Sequence, residues 1–349
     1  MRPDEVEARR QVLDLLRERS VHTGRLPTGA TTAGGTGRLL RGGDGWLAVN
    51  LPRDDDLDLL PAWCGVAPPA EAGGIPWVAV ARAVADRPCE PSAARAQELG
   101  LAVTVVADPT RLAAGDEQLR ARGTSALPCA EPRRVAPAGP RSTLDQLVVV
   151  DLSSLWAGPT CARLLGGFGA RVLKVESTER PDGARLGDPA FYAALHRGHE
   201  QRSVPFTTAE GRRELHALLA SADVVIEGSR PRAFDRLGID PDAVVAARPG
   251  VVWVSVTGYG RTGPWRDRVG FGDDCAAAGG LVSWTERGEP ELVGDAVADP
   301  LTGMVAAAMV ARAVSEGGGV VLDVPLREVA RAAALGLDLL PGQPALEHR

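Results

Sequence analysis

The chain has 349 residues, enough for two domains that each bury a core. With 44% hydrophobic and 24% charged residues it has the composition of a water-soluble globular protein, and a net charge of −6 argues against a broad nucleic-acid surface while leaving room for local Arg pockets. No apolar run approaches the ~20 residues of a membrane span, the N-terminus is too charged for a signal peptide, and five scattered cysteines without a C-x-x-C read as free thiols of a cytoplasmic protein.

Val6, Val12, Leu13, Leu15 and Leu16 recur among charges over residues 4–19 and predict an amphipathic helix. "TGATTAGGTG" reads as a flexible linker. "GWLAVNLP" predicts a strand ended by Pro52, and "DDDLDLLPAW" a helix with acidic residues in its first turn. "WVAVARAVADRP" and "PSAARAQELG" predict two more helices, and "LAVTVVADP" a strand. These segments form a small α/β domain over residues 1–107, its N-terminal helix included. An Ala-, Pro- and Arg-rich linker over 108–144 follows, as in "PCAEPRRVAPAGPRST". Beyond it the strands "LVVVDLS", "ARVLKVES", "ADVVIEG" and "VVWVSVT" alternate with the helices "GPTCARLLGGFG", "TTAEGRRELHALLAS" and "DPDAVVAARPG". Continuous apolar strands in such alternation predict an α/β fold with a doubly wound, mostly parallel, Rossmann-like sheet over 145–349.

Ligands of such a sheet bind beyond the C-terminal ends of its strands. Four loops qualify, at 153–159, 177–187, 228–232 and 258–266. They bring Arg180, Arg185, Arg230, Arg232, Arg261 and Arg266 to one rim, with Arg236 a turn further on. A guanidinium cluster suits a polyphosphate, although loops of an Arg-rich protein carry Arg in any case. Residues 258–263 spell G-x-G-x-x-G behind a strand, yet a dinucleotide fingerprint needs a helix to begin inside the motif, and Pro264 forces Gly263 out of the helical region. His196 and His199, with Glu200 beside them, suggest a metal, but an i, i+3 histidine pair in a loop lacks a third ligand at a known spacing, so no metal is expected. Asp299-Pro300 precedes "LTGMVAAAMVARAV" and predicts a helix with Asp299 as N-cap, ionised with help from the helix dipole worth ~0.3–1 kcal/mol. The residue physics leaves open whether this carboxylate is only a cap.

"VVVDLSSLWAGPTCARLLGGFGARVLKVE", "ADVVIEGSRPRAFDRLGI", "PGVVWVSVTGYGRTGPWRDR" and "DPLTGMVAAAMVARAV" resemble the large domain of class III CoA-transferases, a group with formyl-CoA and carnitine CoA-transferases and 2-methylacyl-CoA racemase. The resemblance runs from about residue 145 to 325. "GRLLRGGDGWLAVNLP" and "AQELGLAVTVV" resemble the family's small domain, which there follows the large one and here precedes it. That order implies a circular permutant or a piece of a fused, double-length form.

The resemblance implies an acyl-CoA:carboxylate CoA-transferase with Asp299 as nucleophile, working through an aspartyl anhydride and an aspartyl-CoA thioester. It places Gly258 and Gly260 beside the thioester, where backbone amides stabilise an oxyanion. CoA contacts are implied at Ser154, Trp156, Ala157, Gly228, Arg236, Leu237 and Phe271. Ser177 stands where transferases often carry Arg, with Arg180 near it, and "HRGHEQRS" replaces the family's "NRNKRS", offering Arg197 and Arg202. Coenzyme A is implied as substrate, with no tightly bound cofactor. The partners implied are an acyl-CoA and a carboxylic acid acceptor, in a homodimer or a complex with a second transferase chain. The racemase branch uses a His-Asp pair before the next helix. Phe271 and Gly272 stand at those positions, and no His occurs between 217 and 347. An acyl-CoA racemase or isomerase, and a non-catalytic CoA-binding partner subunit, are the alternative readings.

Overall fold

The computed structural model describes residues 3–68, 74–114 and 132–337. Helix α1 (Pro3–Thr23) opens the chain. A hairpin follows, β1 (Gly37–Arg41) with β2 (Trp46–Asn50), antiparallel with Leu39 opposite Ala48. The sequence pattern does not reveal β1, whose two leucines lie between Gly and Arg. Helices α2 (Asp54–Asp58), α3 (Leu60–Cys64), α4 (Trp77–Val84) and α5 (Cys89–Leu99) lead to β3 (Ala102–Val105), which pairs antiparallel with β2. Leu47, Val49, Trp63, Val80, Val84, Ala96 and Val103 fill a core between this three-stranded sheet and its helices.

The stretch read as a linker holds α6 (Pro109–Ala114) and the short strand β4 (Arg133–Arg134). The Leu112 carbonyl accepts a 2.9 Å bond from Arg331 Nη2, and β4 pairs antiparallel with a strand near the end of the described chain. Neither segment carries an apolar period, so long-range contacts rather than local pattern define them. Residues 115–131, Cys129 included, lie outside the described residues.

The larger sheet is built from β5 (Val148–Asp151), β6 (Arg171–Ser177), β7 (Glu200–Val204), β8 (Val224–Glu227), β9 (Val252–Thr257) and β12 (Val320–Pro325), all parallel, with β4 at one edge. A two-stranded ribbon, β10 (Val282–Trp284) with β11 (Pro290–Leu292), stands apart. The order β4-β12-β9-β8-β5-β6-β7 winds outward in both directions from the β5/β8 pair. Side-chain alternation splits each strand between two layers. Val149, Ile226, Val254 and Leu322 pack on α7 (Ala157–Gly167) and α13 (Ala298–Ser315). Their neighbours Val150, Val225, Trp253 and Val321 pack on α9 (Ala209–Ser221), α10 (Pro231–Leu237) and α11 (Pro241–Ala247). The remaining helices are α8 (Pro189–Leu195), α12 (Gly272–Ala278) and α14 (Leu326–Ala334). No helix among the described residues is long and apolar enough to cross a membrane.

This is the mixed α/β, mostly parallel architecture expected from the sequence. β5 is followed by the crossover to β6, whereas β8 leads the other way to β9, so the loops after β5 and β8 diverge and leave a crevice between them.

Candidate functional site

A cavity of about 570 Å³ opens in that crevice, walled by Ser154 and Leu155 after β5, Ser177 and Arg180 after β6, Gly228 and Arg230 after β8, and Gly258 after β9. Arg232, Arg236, Leu237, Arg266 and Phe271 line it too, and Arg53 reaches in from the end of β2. Burial and then the like charges of Arg232, Arg53 and Arg180 hold the Arg230 guanidinium below its ordinary range. Arg53 is itself held by the buried Asp56, Nε to Oδ1 at 2.9 Å, and the crowding of guanidinium groups around Arg230 suits a polyanionic ligand. Two of the expected rim arginines are spent on structure instead. Arg185 pairs with Glu176 at 2.8 Å, and Arg261 Nη1 donates to the fully buried Glu227 at 2.8 Å, tying the loop after β9 to the end of β8.

The loop after β5 is held from below. Lys174 on β6, fully buried, donates to the Ser153 carbonyl and to Asp182 Oδ2 at 3.1 Å. Asp182 Oδ1 in turn accepts the Leu155 N–H at 2.9 Å. Leu155 adopts a left-handed backbone, φ 70°, and Ala296, φ 44°, is the other non-glycine residue among the described ones to do so. Such conformations cost about 1–3 kcal/mol and persist where surrounding bonds over-determine them. Both flank the same place. Leu155 precedes Trp156, and Ala296 lies between Asp295 and Asp299.

At that place the first turns of α12 and α13 interlock. The Ala296 N–H donates to Asp273 Oδ1 at 2.9 Å, and Asp299 accepts from the Gly272 N–H. A Cβ on Gly272 would overlap Asp299 Oδ2 and lie 2.6 Å from the Ala296 carbonyl, so glycine is required for this approach. Asp299 stands inside the first turn of α13, which starts at Ala298, with Val297 as N-cap. The expected cap bond is absent, and burial outweighs the helix dipole. Burial, opposed by Arg19 and reinforced by Asp273 and Asp295, raises the Asp299 carboxyl to about 7. Burial also raises Asp273, to about 6. Both residues are half-buried as a whole. Phe271, on the cavity wall, immediately precedes Gly272, so the cavity ends one residue from the Asp299 carboxyl contact.

Of the residues singled out in the sequence, Ser154, Ser177, Arg180, Gly228, Arg236, Leu237, Gly258 and Phe271 line this cavity. Trp156 is buried edge-on to Phe191 with Arg19 over its ring, and Ala157 is the buried first residue of α7. Gly260 lies off the cavity wall and donates its N–H to Thr257 Oγ1 at 2.8 Å, so the amide expected to face an oxyanion is already engaged. Residues 258–271 form turns rather than the start of a helix, which removes the dinucleotide geometry. Arg197 lines a second cleft of about 380 Å³ with Arg163 and His199, and Arg202 lies on the exposed edge strand β7, paired with Glu214. The sequence reading missed Arg53, Arg19 and the gathering of Asp273 and Asp295 around Asp299. The one available signal was the Asp295-x-x-x-Asp299 spacing, since Arg19 and Arg53 are distant in sequence from Asp295 and Arg230, which they approach.

Comparison with known proteins gives this geometry a context. The chain is 32% identical over 202 residues to "Succinyl-CoA--D-citramalate CoA-transferase" of Chloroflexus aurantiacus, covering 54% of this chain and 50% of that protein. It is 30% identical over 226 residues to "Succinate--glutarate CoA-transferase" of Agrobacterium fabrum, covering 58% and 56%. A CAIB/BAIF family protein of known structure from Brucella suis superposes with a TM-score of 0.51 at 32% identity, over 56% of each chain. The chain thus spans about half the length of the relatives it matches. The signature of CoA-transferase family III matches residues 144–336, the whole segment that carries the crevice and Asp299. With more than half of its length so matched, the chain belongs to CoA-transferase family III.

Proposed function

We propose that the chain transfers CoA between carboxylic acids through a covalent intermediate on Asp299. The CoA phosphates sit among Arg180, Arg230, Arg232 and Arg53, and the thioester reaches past Phe271 to the carboxylate. Asp299 attacks the thioester carbonyl, the C–S bond breaks, and CoA leaves as thiolate from an aspartyl-acyl anhydride. The thiolate attacks the aspartyl carbonyl and expels the first acid as its carboxylate. A second carboxylate then reverses both steps, leaving with CoA and freeing Asp299. A carboxylate serves because its anhydride stays activated toward thiolate, and a recessed position limits hydrolysis. The observation that carries this reading is an Arg-walled cavity whose wall at Phe271 is next in the chain to Gly272, the glycine packed against the recessed Asp299 carboxylate.

Incubation with a panel of acyl-CoA thioesters and hydroxylamine, followed by peptide mapping, tests it. An activated Asp299 is trapped as a hydroxamate about 15 Da heavier, and Asp299→Asn abolishes the label. Label on another residue, or label persisting in the Asn variant, overturns the assignment. One observation favours a second reading as an acyl-CoA isomerase: Asp273 and Asp299 are two neighbouring carboxyls held near neutral pKa, suited to moving a proton at an α-carbon. Deuterium uptake from solvent into the acyl α-position without an acceptor acid would select it. The domain order, with a small α/β unit before the sheet, fits a permuted or fused form of the family, and a homodimer or a second transferase chain would supply what the matched half lacks.

A further inference from the structure

Helix α1 lies outside every motif discussed so far, yet it carries the one cation among the described residues that acts on Asp299. Arg19 binds Asp295 through one edge of its guanidinium, one bond of 2.7 Å from Nε and a shorter one from Nη2, while the group lies 4.9 Å above the Trp156 ring. A two-pronged bond with a stacked face fixes the group in position as well as in charge. The helix is moored on both sides of that contact. Glu18 accepts two bonds from Arg163 on α7, the longer 2.6 Å, and the His22 ring stands 5.9 Å from Phe191 on α8. Asp295 is buried to 3% exposure while the Arg19 side chain stays part-exposed, so the guanidinium caps a buried carboxylate from the protein's edge.

The groups that face Asp299 are Arg19 from α1, Asp273 and Cys275 from α12, and Asp295 from the loop before α13. Three carboxyls thus share a single guanidinium. We propose that Arg19 is a positioning residue for the nucleophile: its guanidinium, anchored on Asp295 and Trp156, opposes the burial and neighbouring carboxyls and so favours the ionised Asp299 that attack requires. The role needs no contact with substrate, since Arg19 acts through the field at Asp299 and through the loop that carries it. Removing the charge leaves burial and two carboxyls acting in the same direction, so protonation of Asp299 becomes easier. The proposal rests on the transferase reading only for the meaning of that ionisation, so its test reads the carboxyl directly.

The titration of Asp299 is followed by carbon-13 NMR of Asp-labelled full chain, assigned by the signal lost in Asp299→Asn. In Arg19→Gln the Asp299 midpoint moves about 1–3 pH units upward, and Arg19→Lys, which keeps the charge without the fork, restores part of the shift. Glu18→Gln loosens the neighbouring mooring but leaves the guanidinium, and the midpoint stays. An unmoved midpoint in Arg19→Gln overturns the proposal. So does an equal shift in Glu18→Gln, which would make α1 docking, not the Arg19 charge, the cause. If the chain transfers CoA, the acid limb of its rate profile follows the NMR midpoint in each variant. If no donor is turned over, the transferase reading fails while the NMR midpoints still decide the role of Arg19.

Discussion

Asp299 is a carboxyl whose surroundings oppose the charge a nucleophile needs. Between its ordinary value of 3.8 and about 7, the folded chain holds this proton while the unfolded chain has released it. Stability therefore falls as pH rises through that window, and the ionised form present above it costs stability. Asp299→Asn should accordingly unfold at higher urea than the parent at pH 8, by roughly 1–3 kcal/mol, with the gap closing toward pH 4. In the parent enzyme kcat/KM should rise with pH to a midpoint near 7, not near 4. Gly272 tests the geometry of the same carboxyl. Gly272→Ala puts a methyl on Asp299 Oδ2 and 2.7 Å from the Ala296 Cβ. Transfer should drop by about a hundredfold or more, since displacement by about 1 Å is enough for that, while circular dichroism reports a folded chain.

At the level of elements, close helix packing places this turn. A Cβ on Gly303 of α13 would lie 2.5 Å from the Ala157 carbonyl and 2.6 Å from the Thr160 Cβ of α7, so the helices meet backbone to side chain with nothing between. Gly303→Ala should lower the urea midpoint, with an unchanged slope, by the equivalent of about 1–3 kcal/mol. β5 and β8 were legible in sequence as runs of Val and Ile, and β6 and β9 through Val residues that recur between turn signals. β7 was not, because four of its five residues, Glu200 to Ser203, are exposed on a sheet edge and carry no apolar signal. β4 and α6 escaped for a related reason, their definition coming from partners more than a hundred residues away. The site divides in the same way. Cavity residues at the ends of strands followed from the doubly wound rule, whereas Arg19 and Arg53 belong to elements that no local pattern connects to it.

Across the whole molecule, the cavity is assembled from both sheets. Arg53 follows β2 of the three-stranded sheet, yet it faces Arg230 and Arg180 of the larger one. Gln97 on α5 accepts the Val269 N–H at 2.8 Å and donates to its carbonyl at 2.9 Å, fixing the cavity wall to the smaller core. Asn50 at the end of β2 donates to the buried Asp274, next to Asp273 of the turn that meets Asp299, at 3.3 Å. A ligand that neutralises the arginines should then stabilise the two parts together. CoA at about a hundred times its dissociation constant adds about 2.7 kcal/mol, read as one thermal transition moving upward. Arg230 sits where like charges are most crowded, and loss of one charge-assisted bond costs about 1.5–3 kcal/mol. Arg230→Ala should therefore weaken CoA by roughly ten- to a hundredfold in calorimetry, and added salt should weaken the parent more than the variant. Equal affinity in parent and variant at low salt would place the phosphates elsewhere, with the second cleft around Arg163 and Arg197 as the next site to mutate.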